Sequence, residues 1–225
     1  MITLYQFDSC PFCWKVKALL NYAKQPYDIV EVSPFGMKEL DFTDHKKVPV
    51  LKDGDEIITE SATIVEHVNS RYSKLPVRDD AEKWSKWIDD VLVHYLPPII
   101  HPNFTTSLKN FKAIMANTKM GSIKGLLVRF AGALVMPKIA RKMKAKYGIE
   151  DTEAEFLAAI DKWVTSGLNN NAFFGGEQPD LIDSSVFGVL HSSHDLGVVK
   201  LACSHNPTFA DWYNACLPLM SQKPT

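Results

Sequence analysis

The stretch that most constrains this chain is Cys10-Pro11-Phe12-Cys13, set between a strand-like run, Ile2 to Phe7, and an amphipathic helical segment. A proline directly after Cys10 suits the first position of a helix, where its missing N–H costs nothing and its fixed φ matches helical backbone. Cys10 then becomes the helix N-cap. Its sulfur faces the positive end of the helix dipole, which favours thiolate over thiol, and Lys15 and Lys17 are close by in sequence. A thiolate is the nucleophile in disulfide exchange, and Cys13, one turn on, is spaced to act as the resolving thiol. Two plainer readings are half of a zinc site and a pair of inert core cysteines. Zinc needs two further ligands, and Cys203 and Cys216 do not form a second close pair.

A chain of 225 residues, 46% of them hydrophobic, has enough apolar side chain for two small domains or one large one. Its formal net charge of −1 exerts no global pull toward nucleic acid or anionic membranes, and no nucleic-acid partner is expected. Four cysteines are too few for a disulfide framework at this length, and a Cys-x-x-Cys beside a strand and a helix fits a reducing compartment, the cytoplasm or another. The chain enters its first strand almost at once and shows no secretory signal; membrane contact is expected only through a segment outside this sequence. Leu126 to Ile139, the longest apolar stretch, is too short to span a bilayer and reads as a buried helix. The basic cluster after it, Lys138, Arg141, Lys142, Lys144 and Lys146, reads first as a solvated helix face, with contact to a membrane surface or an anionic partner as the other reading.

The first 73 residues alternate strand-like and helix-like patterns. Val16, Leu19, Leu20 and Ala23 recur at helical spacing, and Pro26 stops that helix. Tyr27 to Val32 is a second β-rich run, and Met37 to Phe42 a weak helix candidate. Val48 to Leu51 and Glu56 to Ile58 flank Asp53-Gly54, a hairpin signal, and Ser61 to Tyr72 follows with Ile64, Val65, Val68 and Tyr72 on one helical face. The order β-α-β-α-β-β-α describes a compact α/β sandwich. Residues 74–80, with Pro76, read as a linker, and residues 81–225 as an all-helical domain. Trp84, Trp87, Ile88, Val91, Leu92 and Tyr95 follow helical spacing up to Pro97-Pro98, which should end or kink that helix. Phe156, Leu157, Ile160, Trp163 and Val164 repeat the pattern, and Asp180 with Asp183 forms the capping pair of a further helix. His191 and His194 on that helix lack a third convergent ligand and read as structural or solvated.

An α/β unit carrying Cys10-Pro11-Phe12-Cys13, then Lys47-Val48-Pro49-Val50, then Glu60-Ser61, followed by a helical domain, resembles the glutathione transferase superfamily over essentially the whole chain. Leu4-Tyr5-Gln6-Phe7, Val30-Glu31-Val32, Trp87-Ile88-Asp89-Asp90 with Leu92-Val93-His94, Asp161-Lys162-Trp163-Val164 and Phe174-Gly175-Gly176 are most similar to the membrane-associated prostaglandin E synthase type 2 family. The resemblance implies a thioredoxin- or glutaredoxin-like N-terminal domain, residues 1–73, that binds glutathione, and Cys10 as the reacting thiol with Cys13 beside it. It implies a cis Val48-Pro49 bond whose backbone pairs with the tripeptide, with Glu60 and Ser61 holding the γ-glutamyl end, Lys47 the glycyl carboxylate and Phe12 covering the thiol. Across the cleft it implies a pocket for an apolar substrate or haem, formed with Phe7, His94 and Pro97. Two of these positions depart from the family. Pro97 replaces a serine and Phe7 a tyrosine, and each change removes a hydroxyl. The activity implied is isomerisation or cleavage of an apolar endoperoxide, or glutathione-dependent thiol transfer. A haem- and glutathione-binding module with little turnover is the other reading, and a homodimer is expected, since dimerisation is common in the superfamily.

Overall fold

A computed structural model of the chain describes residues 1–33, 36–114 and 122–224, without the side chains of 122–124. β1 (Ile2–Gln6) leads into α1 (Pro11–Tyr22), which crosses to β2 (Tyr27–Glu31); β3 (Val50–Asp53) and β4 (Glu56–Thr59) form a hairpin, and α2 (Ser61–Val68) follows. The sheet order is β2-β1-β3-β4, with β1 and β2 parallel and the other pairs antiparallel. The hairpin turns at Gly54, whose φ of 64° lies in the left-handed region that glycine enters at least cost. Met37 to Phe42 contains only the short 3₁₀ turn Lys38–Leu40.

Ile2, Leu4, Val16, Leu19, Leu20, Leu51, Ile64, Val65 and Val68 form one buried cluster between the sheet, α1 and α2. α1 and α2 thereby bury most of the faces that their periodicity marked, Val16, Leu19 and Leu20 on the first and Ile64, Val65 and Val68 on the second. α2 runs on through a π-helical turn, Asn69–Ser73, and an irregular segment leads to α3 (Ala81–Trp87). A second π-helical turn, Ile88–Leu92, joins α3 to α4 (Val93–Ile100). That extra residue per turn rotates the apolar stripe, so Trp84, Trp87, Ile88 and Leu92 are buried while Val91 is exposed. Pro97 and Pro98 do not end the helix; they lie inside α4, which reaches Ile100.

Next come α5 (Phe104–Ile114), α6 (Ser122–Tyr147), α7 (Thr152–Lys162), α8 (Leu181–His191), α9 (Val198–His205) and α10 (Pro207–Met220). α8 is the axis of the helical region, with every residue buried. Its first turn carries the capping box: Asp180 accepts from the Ile182 and Asp183 N–H groups, and Asp183 accepts from that of Asp180. Asp183 also accepts from Phe174 N–H, Gly175 N–H and Trp212 Nε1–H, tying the preceding loop and α10 to α8.

The apolar run Leu126 to Ile139 is helical but not buried as expected. Within α6 the small residues Ala133, Pro137 and Ala140 face the body of the protein, and Leu126, Leu127, Phe130, Leu134, Val135 and Ile139 face outward. Close packing against α5 accounts for this orientation: a Cβ at Gly132 would come within 2.3 Å of the Phe111 ring.

α1 joins the two parts of the molecule. Lys15 on its inner face is 1% exposed and pairs with Asp89 at 2.7 Å, Trp14 packs edge-on against His191, and Asn21 Nδ2 donates to the Met220 carbonyl.

Candidate active site

Strand directions bring the sequence motifs to one end of the sheet. β1 ends at Gln6 beside Glu31, the end of β2; Tyr5 pairs with Val50 at the start of β3, and Val50 pairs with Thr59 at the end of β4. The segments just beyond these residues therefore meet: Phe7 to Cys10, Val48-Pro49 and Glu60-Ser61. The Val48-Pro49 bond is cis. Pro49 is buried, Val48 half-buried, and Ser61 is the buried first residue of α2. Glu60, with φ 64°, exposes its side chain near His45, their closest polar atoms 4.0 Å apart; Lys47 is exposed. Phe7 packs with Val32, Leu40, Val48 and Val50 on the sheet side of this end.

Cys10 is the N-cap of α1, with extended backbone (φ −84°, ψ 120°), and Pro11 opens the helix. Its N–H donates to the Phe7 carbonyl, which holds the entering loop. Cys10 is half-buried and Cys13 fully buried. The Cys13 thiol hydrogen bond, joined by the Cys13 and Phe12 backbone N–H groups, holds Cys10 below the ordinary thiol range against burial and the nearby Glu31. Burial, with the hydrogen bond to Cys10, pushes Cys13 well above that range. The outer sulfur is thus biased toward thiolate and the inner one toward thiol, the polarity that disulfide exchange uses. Lys15 and Lys17 do not supply the charge at Cys10 that their sequence proximity suggested. Lys15 is taken by Asp89 and Lys17 by Asp8 at 3.0 Å.

Glu31 is a site residue whose role sequence spacing did not reveal. It accepts from the Gln6 amide at 3.0 Å and from Asp8 N–H at 2.9 Å, and burial raises its pKa. Its place follows from the parallel pairing of β2 with β1, which leaves no local signal in sequence.

A cavity of about 390 Å³ opens beside the start of α1. Ser9, Pro11 and Phe12 form one wall; His94, Pro97 and His101 of the α4 segment, Phe111 of α5, and Met136 and Met143 of α6 line the others. Phe12, His94 and Pro97 therefore share one cavity, while Phe7 and Cys10 do not line it, Cys10 being flanked by Ser9 and Pro11, which do. Four of the lining residues, His101, Phe111, Met136 and Met143, were not visible in sequence, because three separate segments supply them. His94 stacks on Tyr147, ring centroids 3.6 Å apart, and its buried Nδ1 has no hydrogen-bond partner among the described residues. Burial and Lys146 lower its pKa. His101, buried with Nδ1 against Ser107 Oγ, is lowered to about 4. Both histidines thus offer neutral imidazoles to an apolar space. His191 and His194 stack on each other and do not line this cavity, although Ser192 and Leu196 beside them do; His191 is bonded to the Tyr213 hydroxyl. Among the described residues no group of three or more His, Cys, Asp or Glu side chains converges to hold a metal ion, and no helix is long and apolar enough to cross a membrane.

Residues 4–76 match the family described as glutathione S-transferase, N-terminal domain. A solved human glutathione transferase theta-2, in complex with glutathione and an unknown ligand, superposes with a TM-score of 0.66 at 18% identity, covering 98% of this chain and 82% of that one. The fold is that of the glutathione transferases. Prostaglandin E synthase 2 of Danio rerio is 30% identical over 95% of this chain and 69% of its own length, and that of Mus musculus is 27% identical over 94% and 68%. The chain belongs to the glutathione transferase superfamily, and within it to the family of prostaglandin E synthase 2.

Proposed function

We propose that this chain is a glutathione-dependent thiol enzyme in which Cys10 is the reacting group and the α1–α4–α6 cavity takes an apolar substrate. The observation that carries the reading is the position of Cys10, a helix-capping sulfur biased toward thiolate by Cys13, next to that cavity and to the cis Val48-Pro49 segment. Glutathione lies along Val48-Pro49, its backbone pairing with Val48 as an added strand would. Its γ-glutamyl carboxylate meets the Ser61 hydroxyl and the free N–H groups of the first turn of α2, where the helix dipole favours an anion. Glu60 answers the γ-glutamyl ammonium, Lys47 the glycyl carboxylate, and Phe12 closes over the thiol.

In thiol transfer, the Cys10 thiolate attacks a glutathione mixed disulfide, an S–S bond forms as the old one breaks, and the departing thiolate takes a proton. Glutathione, or Cys13 after losing its proton, then releases Cys10. With an apolar endoperoxide, as the relatives' name suggests, a thiolate attacks one peroxide oxygen and the O–O bond breaks. The freed alkoxide is protonated; loss of the C–H proton beside the sulfur-bound oxygen then forms the ketone and expels the thiolate, with no net oxidation.

The unpartnered Nδ1 of His94 supports a second reading, a haem- and glutathione-binding module with little turnover. The cavity's apolar lining and neutral histidines would suit an apolar macrocycle, which His94 would help to hold, while bound glutathione would offer a thiolate to its iron. Bound haem would supply iron chemistry that favours endoperoxide cleavage. Cys10→Ser decides the enzyme reading: exchange with a glutathione mixed disulfide should disappear while glutathione affinity remains. Absence of both exchange and isomerisation in the wild-type chain would refute it. Haem titration with and without glutathione tests the second reading, which fails if no haem absorbance develops in either case.

A further inference from the structure

The apolar cavity shares a wall with a second space. Ser9, Ile114, Ser192 and Leu196 also line a smaller cavity of about 120 Å³, whose other walls include Asp8, Trp14, His194 and Asp195. Ser9, which borders both spaces, directly precedes Cys10. The two linings differ in kind: the larger is apolar, and the smaller presents hydrogen-bond acceptors. Ser192 Oγ gives its proton to the Val189 carbonyl at 2.7 Å and keeps its lone pairs. His194 Nδ1 lies 2.8 Å from the His191 carbonyl, which can only accept, so Nδ1 donates and Nε2 is the lone-pair nitrogen of the neutral ring. Asp195 sets its carboxylate 3.3 Å from that Nε2. Two nearby donors are already spent, Trp14 Nε1 on the Asp8 carbonyl at 2.6 Å and Lys17 on the Asp8 carboxylate. Among the described residues no lysine or arginine lines either cavity.

We propose that the smaller cavity is a specificity subsite for the reaction at Cys10, and that the substrate has two arms: an apolar one for the α4–α6 space and one ending in a hydroxyl or ammonium group, which Asp195 and His194 receive. The inference rests on Cys10 as the reacting thiol and names the substrate class that this thiol meets. Both spaces border Ser9, so a bond that reacts at Cys10 has one arm directed into each. A carboxylate on the second arm is disfavoured. It would face Asp8 and Asp195, while Lys17 is held by the first and a charged His194 is answered by the second. A purely apolar second arm is disfavoured as well, because it would strip water from Asp195 and His194 Nε2 and return no hydrogen bond.

Glutathione thioethers with arms of similar length test this on the full chain. Calorimetry should rank S-(3-aminopropyl)-, S-(3-hydroxypropyl)- and S-(2-carboxyethyl)glutathione in falling affinity, with about fivefold between the first and the last, the size that a contact between exposed charges supplies. Asp195→Lys should reverse the ranking, and an unchanged thermal melt shows that the fold is intact. Equal affinities in the wild-type chain, a preference for the carboxylate, or a ranking that Asp195→Lys leaves as it was overturns the proposal. S-methylglutathione separates the two levels of the argument. If it does not bind the wild-type chain, the glutathione reading fails and the subsite with it; if it binds and the three arms are not discriminated, the subsite alone fails.

Discussion

A Cβ on Gly188 of α8 would lie 2.4 Å from the carbonyl oxygen of Trp14 in α1. The two helices cross at backbone contact, and the cysteines sit on the one that would have to move. Gly188→Ala should therefore lower stability by about 2–3 kcal/mol as the helices part. It should also raise the exposure of Cys13, read as faster alkylation of the second thiol. Equal urea midpoints for the variant and wild type would show that the crossing has slack.

The environment of Cys10 predicts two opposite shifts. Cys13→Ala removes the thiol hydrogen bond that most favours the Cys10 thiolate, so the Cys10 titration midpoint should rise. Glu31→Gln removes a negative charge that opposes the thiolate, so the midpoint should fall. The pH dependence of iodoacetamide reaction at Cys10 measures both, and shifts of the same sign would contradict the arrangement.

Lys15 is buried and Asp89 is its charged partner. Asp89→Ala leaves a buried ammonium unpaired, at a cost of about 3 kcal/mol, whereas Lys15→Met replaces it with an apolar side chain of similar length and should cost much less. Chemical denaturation separates the two, and equal losses would mean that chain packing, not charge, holds α1 to the helical region.

His101 and His191 are buried and both are lowered to about 4. Between that value and the ordinary histidine pKa near 6.5, the unfolded chain binds protons that the folded chain does not. Their stabilisation is thus complete above about pH 6.5 and lost as pH falls toward 4, up to about 3 kcal/mol for each histidine. Thermal melts across this window should flatten in His101→Asn. A melting temperature that rises on acidification would reverse the sign and refute the assignment.

Much of the α/β half was legible because its signals are local. Pro11 after Cys10 marks a helix start, Asp53-Gly54 marks a hairpin, and Val16, Leu19 and Leu20 mark the buried face of α1. Asp180 and Asp183 likewise read as a cap because both partners lie within one turn. The α6 segment was misread for the same reason. Its composition specifies a helix, but which side is buried depends on Phe111 meeting Gly132, a contact between separate helices. Lys15 and Lys17 failed in a related way. Nearness in sequence placed them by Cys10, but Asp89, 74 residues further on, took the first, and Asp8 the second.

The sequence alone determined the succession of strands along the α/β half, the cap that carries Cys10 and the motifs themselves, since backbone propensity and periodicity act over a few residues. Tertiary structure decided the rest. The unequal thiols, the carboxylate of Glu31 beside them, the cavity walls from α4, α5 and α6 and the outward apolar face of α6 each depend on desolvation and packing between distant segments, which no local pattern encodes.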